Sequence, residues 1–143
     1  MKRIMNLCIK ALLVSSILAA LFSNAALASD GTIEMVVSPN ILSIESNGGS
    51  ISIHTNIGYV APEDAALVVN GTTIEHIWTF LDDRGNLVVK CRIDEVKDIF
   101  IEEKTEPGRT EEEAVFALTA NYDGGTYTGF DTIKVIQVIP SKS

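Results

Sequence analysis

From Ser50 to Ile57 the chain alternates with a period of two. Ile51, Ile53, Thr55 and Ile57 fall on one face, and Ser50, Ser52, His54 and Asn56 on the other. A helix would spread both sets around its circumference. An extended strand separates them, and the pattern marks a sheet with one face buried and one wet. The alternation returns in Asn86–Ile93, with Leu87, Val89, Cys91 and Ile93 inward and Val88, Lys90 and Arg92 outward. It returns again in Ala114–Tyr122, where Ala114, Phe116, Leu118, Ala120 and Tyr122 share a face.

Turn residues divide the rest into similar pieces. Thr32–Ser38 is rich in β-branched residues and stops at Pro39, and Ile41–Glu45 continues up to Asn47-Gly48-Gly49. Ala61–Asp64 carries Pro62 and reads as a loop. Ala66–Val69 and Thr72–Leu81 flank Asn70-Gly71, the favoured two-residue hairpin turn. Within Thr72–Leu81, the residues Ile74, His76, Trp78 and Phe80 are expected on one face, with Trp78 as a core tryptophan. Asp82-Asp83-Arg84-Gly85 forms the next turn. Asp94–Ile101 breaks the pattern: Asp94 is an N-cap candidate, and Val96, Ile99 and Phe100 suit one or two helical turns. Glu102–Glu113 is polar, contains Pro107-Gly108, and is expected to form a mobile loop. Asp123-Gly124-Gly125 leads into a long last strand, Thr126–Ile139, expected to bulge near Gly129 or Ile136. About seven or eight short strands with turns every 8–12 residues indicate an all-β antiparallel sandwich. No internal repeat points to a solenoid or propeller.

The first 28 residues stand outside this pattern. Lys2 and Arg3 give a positive start, Ala11–Phe22 is apolar apart from Ser15 and Ser16, and Ala26-Leu27-Ala28 supplies small residues at both recognition positions. This is the layout of a cleaved export signal ending before Ser29, and the apolar run is shorter than a membrane-spanning helix needs. Residues 29–143 then form a single domain with no further membrane span. Losing Lys2, Arg3 and Lys10 leaves 8 of the 11 basic residues against all 19 acids, a formal charge of −11. Such an acidic chain lacks the basic face that nucleic-acid binding requires. The expected location is the periplasm or the cell exterior. Cys8 leaves with the signal, so Cys91 has no partner for an internal disulfide.

Several pieces taken in order carry a resemblance. They are Ser38-Pro39-Asn40-Ile41-Leu42 followed by Gly48-Gly49 and Ser52-Ile53-His54-Thr55; Leu67-Val68-Val69-Asn70-Gly71; Gly85-Asn86-Leu87-Val88-Val89-Lys90; Leu118-Thr119-Ala120 with Asp123-Gly124; and Gly129-Phe130-Asp131-Thr132-Ile133-Lys134-Val135-Ile136. Together they resemble an immunoglobulin-like β-sandwich module of uncharacterised exported bacterial and archaeal proteins. The resemblance implies that fold over nearly all of residues 29–143 and supplies no catalytic motif. Two departures stand out. An acidic, calcium-loop-like insert of some relatives is reduced here to Asp82–Gly85, and Cys91 stands where an aromatic is usual.

The residues that could carry chemistry have plainer readings. His54 lies on the polar face of its strand and His76 on another strand, without the converging ligands a zinc site needs. Cys91 alternates in phase with core residues, whereas a nucleophilic thiol needs an exposed electropositive place. Asp82, Asp83 and Asn86 could offer oxygens to calcium, but Arg84 and the early glycine break the EF-hand spacing, and a hairpin turn explains them. Glu102, Glu103, Glu106, Glu111, Glu112 and Glu113 form an acidic cluster suited to a solvated loop or to a basic partner. Trp78 with Tyr59, Tyr122 and Tyr127 is the set that a sugar-stacking platform would use. Asn70-Gly71-Thr72 matches a glycosylation sequon, but the turn already accounts for it. No catalytic residue, metal ligand or cofactor site is assigned.

The expected role is therefore that of a non-catalytic interaction or structural module. It would bind a protein or glycan partner through an exposed edge strand and end loops. A carbohydrate- or ion-binding accessory domain is the first alternative. A small hydrolase is the second, and it lacks a visible nucleophile–base pair.

Overall fold

The computed structural model describes residues 30–100 and 106–142, so the segment expected to be an export signal, and Glu102 and Glu103, lie outside the described residues. In chain order the strands are β1 (Gly31–Thr32), β2 (Met35–Ser38), β3 (Ile41–Ser43), β4 (Ser50–Thr55), β5 (Ala65–Val69), β6 (Thr72–Thr73), β7 (Ile77–Leu81), β8 (Leu87–Arg92), β9 (Gly108–Tyr122) and β10 (Gly125–Ile139). A 3-10 turn, Pro62–Asp64, precedes β5, and among the described residues a single α-helix, α1 (Ile93–Phe100), follows β8.

The strands build two sheets. One runs β2-β4-β8-β7; the other runs β1-β10-β9-β5-β6, with β3 also pairing to β10. This is the immunoglobulin-like arrangement, A-B-E-D against G-F-C-C′, and the protein is an all-β sandwich of that type. Pairing is antiparallel except along the outer edge of β10, where β1 and β3 both run parallel to it.

The first segment switches sheets, where a single strand over Thr32–Ser38 was expected. β1 lies on β10, β2 on β4, and β3 on β10 again. Ile33, Met35 and Val37 nevertheless all point into the one core between the sheets. Where this segment passes β10 there is no room for a side chain. A Cβ on Gly129 would collide with the Ile33 carbonyl oxygen and stand 2.8 Å from Ile33 Cβ. The expected bulge is absent: β10 pairs with β9 without a break from Gly125↔Tyr122 to Ile139↔Gly108. Gly129 serves close approach rather than a bend.

The crossing also closes an edge. The Val37 N–H, turned away from β4, donates to Asp131 Oδ2 at 2.8 Å. Asp131→Ala should strand that amide and cost about 1–3 kcal/mol, while Asp131→Asn keeps an acceptor and should cost much less. Chemical denaturation of the two variants compares them. Equal losses would mean that the bond contributes nothing specific.

Ile51, Ile53, Leu67, Leu87, Val89, Cys91, Phe116 and Leu118 form the centre of the core, as strand alternation implies. α1 follows directly on β8, and Glu95 in its first turn accepts from Glu75 N at 3.0 Å. Ile93, Val96 and Phe100 bury one stripe of it, and Asp94 and Glu95 sit in its first turn, where the helix dipole favours acids. The segment expected as a loop is partly strand: Gly108–Glu113 is paired with the C-terminal half of β10.

Candidate interaction surface

β7 is the outermost strand of its sheet and pairs on one side only, with β8. Its ladder can be phased from its neighbours. Leu87 N donates to the Ile57 carbonyl at 2.7 Å, and the Leu87 carbonyl accepts the Thr55 hydroxyl at 2.8 Å, so the Leu87 backbone faces β4. Asp82 N donates to the Asn86 carbonyl at 2.9 Å, towards β8. Alternation then turns the N–H and C=O groups of Trp78 and Phe80 towards β8, and those of Ile77, Thr79 and Leu81 to the open edge.

The other edges are better covered. Asp131 caps β2, while β1 and β3 line β10. Glu45 closes the far end of β10, its Oε1 accepting from Val138 N at 2.7 Å and its Oε2 from Ser43 Oγ at 2.6 Å. These bonds, the Ser43 hydroxyl first, hold the Glu45 carboxyl below its ordinary pKa. β6 is two residues long. By contrast β7 reads Ile-Trp-Thr-Phe-Leu, without a charge or a proline to discourage pairing.

Trp78 does not sit in the core. It is 41% exposed, Phe80 is 47% exposed and Leu81 54%. Ile74 is buried, but the bend at Glu75-His76 shifts the phase by one residue, so Ile77 and Thr79 face inward and Trp78 and Phe80 face out. On that outer face the Arg92 guanidinium lies 5.8 Å from the Trp78 ring centre, and Lys90 Nζ lies 5.5 Å from that of Phe80. Val88 continues the apolar row from Phe80, and His54 then separates it from the exposed Val36. The outward pairing of Lys90 and Arg92 with aromatics one strand away was the available clue. An edge position, however, depends on topology and has no local sequence signature.

The proposed stacking set does not assemble. Tyr122 and Tyr127 pack edge-to-face with ring centres 5.6 Å apart, on strands of the other sheet. Tyr59 is exposed, and its hydroxyl accepts from Thr79 Oγ1 at 3.4 Å. Trp78 is joined by Phe80 instead.

His54 lines an open groove of about 600 Å³ with Glu34, Asp82, Asp83, Arg84 and Asn86. The one hydroxyl there, that of Thr55, is buried and donates to the Leu87 carbonyl, so it is not placed as a nucleophile. Asp82 Oδ1 accepts from Asn86 N at 2.9 Å and Arg84 N at 2.8 Å. The Asn86 bond is the main reason its carboxyl is held below the usual range. The turn thus uses one Asp82 oxygen for its own backbone. His76 Nδ1 lies 3.4 Å from Glu95 Oε1, and neither residue lines that groove. Cys91 is buried, and desolvation pushes its thiol up to about 12.

The sequon asparagine is committed to the fold. Asn70 has a positive φ of 47°, its Nδ2 donates to the Glu113 carbonyl at 3.1 Å, and its Oδ1 accepts from Val115 N at 2.7 Å. Of the acidic cluster, Glu111, Glu112 and Glu113 stand on β9, with Glu111 held by Arg109 at 2.7 Å. Among the described residues no group of three or more His, Cys, Asp or Glu side chains could hold a metal ion. No described helix is long and apolar enough to cross a membrane.

No family model matches the chain, and no curated protein matches it in sequence. Among solved structures it is similar to AggA, the major subunit of aggregative adherence fimbriae type I from Escherichia coli. That likeness covers 78% of this chain and 97% of the other, with 11% identity and a TM-score of 0.26. At that level it carries neither a fold nor a function across.

Proposed function

We propose that the protein is an exported, non-catalytic interaction module that takes up an extended segment of a protein partner as an added strand beyond β7. The observation that carries this reading is the open edge of Ile77, Thr79 and Leu81 beside the exposed rings of Trp78 and Phe80. Main-chain bonds along such an edge supply affinity, and alternate side-chain positions supply selectivity. The signal-like segment of residues 1–28 supports export. A glycan-stacking role fits less well, because Trp78 and Phe80 each already hold a cation near the ring.

Site-specific photo-crosslinking in producing cells tests this. A crosslinker at Leu81 should trap a partner, and one at Val115 on the other sheet should not. Thr79→Pro removes an N–H that the fold does not use and should abolish the crosslink while leaving the circular dichroism unchanged. Crosslinks that persist with Thr79→Pro, or that form equally at Val115, would overturn the edge reading.

A further inference from the structure

The geometry points to a second copy of this chain as an occupant of the β7 edge, paired antiparallel about a twofold axis at Thr79. This inference rests on the edge reading above and adds the identity and register of the strand.

Three features converge on that register. The first is hydrogen-bond phase. In an antiparallel pair, residues with outward N–H and C=O groups must oppose one another. A twofold axis at Thr79 sets Ile77 against Leu81 of the second copy, Thr79 against its equivalent, and Leu81 against Ile77. No other twofold register aligns the whole of Ile77–Leu81 with itself. The second is side-chain fit. On the outer face Trp78 meets Phe80 of the second copy, and Phe80 meets Trp78, so four rings meet at the centre of a continuous eight-stranded sheet. Aromatic cross-strand pairs are among the favourable ones. Lys90 and Arg92 already lie against these rings from one strand behind, and neither cation faces its own copy across the seam. The third is charge. One step beyond the strand, the same register carries Asp82 of one copy towards the end of β8 of the other, where Arg92 supplies the positive charge; the nearby His76 already has Nδ1 beside Glu95. Asp82 Oδ2, unlike Oδ1, is not taken up by the turn. On the opposite face Glu75 comes against Asp83, the one like-charged pair.

An isologous contact of this kind closes on itself as a dimer and leaves no free β7 edge. The seam is one strand wide, which places it in the small, transient class of interface. Both copies are acidic overall, so screening their mutual repulsion with salt should strengthen the pair. An acidic partner held by Lys90 and Arg92 would respond in the opposite sense.

Disulfide trapping reads the register directly. Trp78 and Phe80 of the second copy form a non-hydrogen-bonded pair, with Cα atoms about 4.5 Å apart, within disulfide reach. A mixture of the separately purified variants Trp78→Cys and Phe80→Cys should form a disulfide-linked dimer under mild oxidation, and neither variant alone should do so. Sedimentation velocity of the unmodified protein should show concentration-dependent dimers that increase with salt and vanish with Thr79→Pro. Equal linking by either variant alone would overturn the register. A monomer at every concentration, with no trapped dimer, would overturn the second copy as occupant. In that event a Leu81 crosslink still sensitive to Thr79→Pro leaves the edge reading standing, and loss of that crosslink removes both.

Discussion

Phe116→Ala is expected to cost about 3–5 kcal/mol of folding stability, read as a lowered urea midpoint. Phe116 is the largest fully buried side chain in the core. It sits mid-way along β9, between Val69 of β5 and Asp131 of β10, so neither neighbouring strand can close in without breaking its ladder. A loss of that size is a large share of the total stability of a domain this small. Phe116→Leu keeps most of the volume and should cost less than about 1.5 kcal/mol. Phe130→Ala, on the same sheet but 66% exposed, should stay within about 0.5 kcal/mol. Similar losses at positions 116 and 130 would mean that the sheet faces are assigned the wrong way round.

Stability should also fall steeply above pH 9, and Cys91 should be a measurable cause. In the folded protein, burial raises the thiol from its ordinary value of 9.0 to about 12, with Glu95 adding a smaller push in the same direction. Between those values the unfolded chain has lost the proton and the folded chain still holds it. Raising the pH therefore favours unfolding, by about 1.4 kcal/mol per unit, until the native thiol itself ionises. The contribution is absent below pH 9, where both states carry the proton. The informative quantity is the difference between the protein and a variant without the thiol. Cys91→Ala should be less stable than the unmodified protein at pH 7 by about 1 kcal/mol, through a small cavity. It should overtake the unmodified protein between about pH 9.5 and pH 10. Urea denaturation at pH 7, 9 and 10.5 measures this. Parallel curves for the two proteins would rule out a buried, protonated thiol at this position.

Strand alternation made the core readable because burial repeats with the pleat. The inward sets of β4, β8 and the second half of β9 follow from it, and so does the helical turn after β8. Hydrogen-bond partners leave no such trace. Ile33, Met35 and Val37 alternate without interruption although the backbone beneath them moves from β10 to β4, because both sheets face the same core. Thr72–Leu81 misleads for a related reason. A bend at Glu75-His76 transfers the chain between sheets and slips the phase, and that exchanged Trp78 for Ile77 on the inner face. Gly108–Glu113 has exposed side chains on both faces, so no apolar period marked it as strand; its ladder with β10 carries it. The β7 edge was expected only as an unspecified exposed strand. Its uncharged sequence was visible, but which strand ends the sheet is a property of the whole topology.

The parallel seating of β1 and β3 on β10 has a mechanical consequence. The chain enters the fold at β1 and leaves it at the end of β10, and the two strands run in the same direction. Tension applied to the flanking segments would pull β1 backwards and β10 forwards. The bonds from Ile33 N to Thr128 O, Lys134 N to Asn40 O and Ile44 N to Ile136 O would then be loaded together, sideways, as a lap joint is. A peeling geometry would instead open them one at a time. The same crossing that covers one edge of each sheet is thus also the part of the fold placed to resist such a pull.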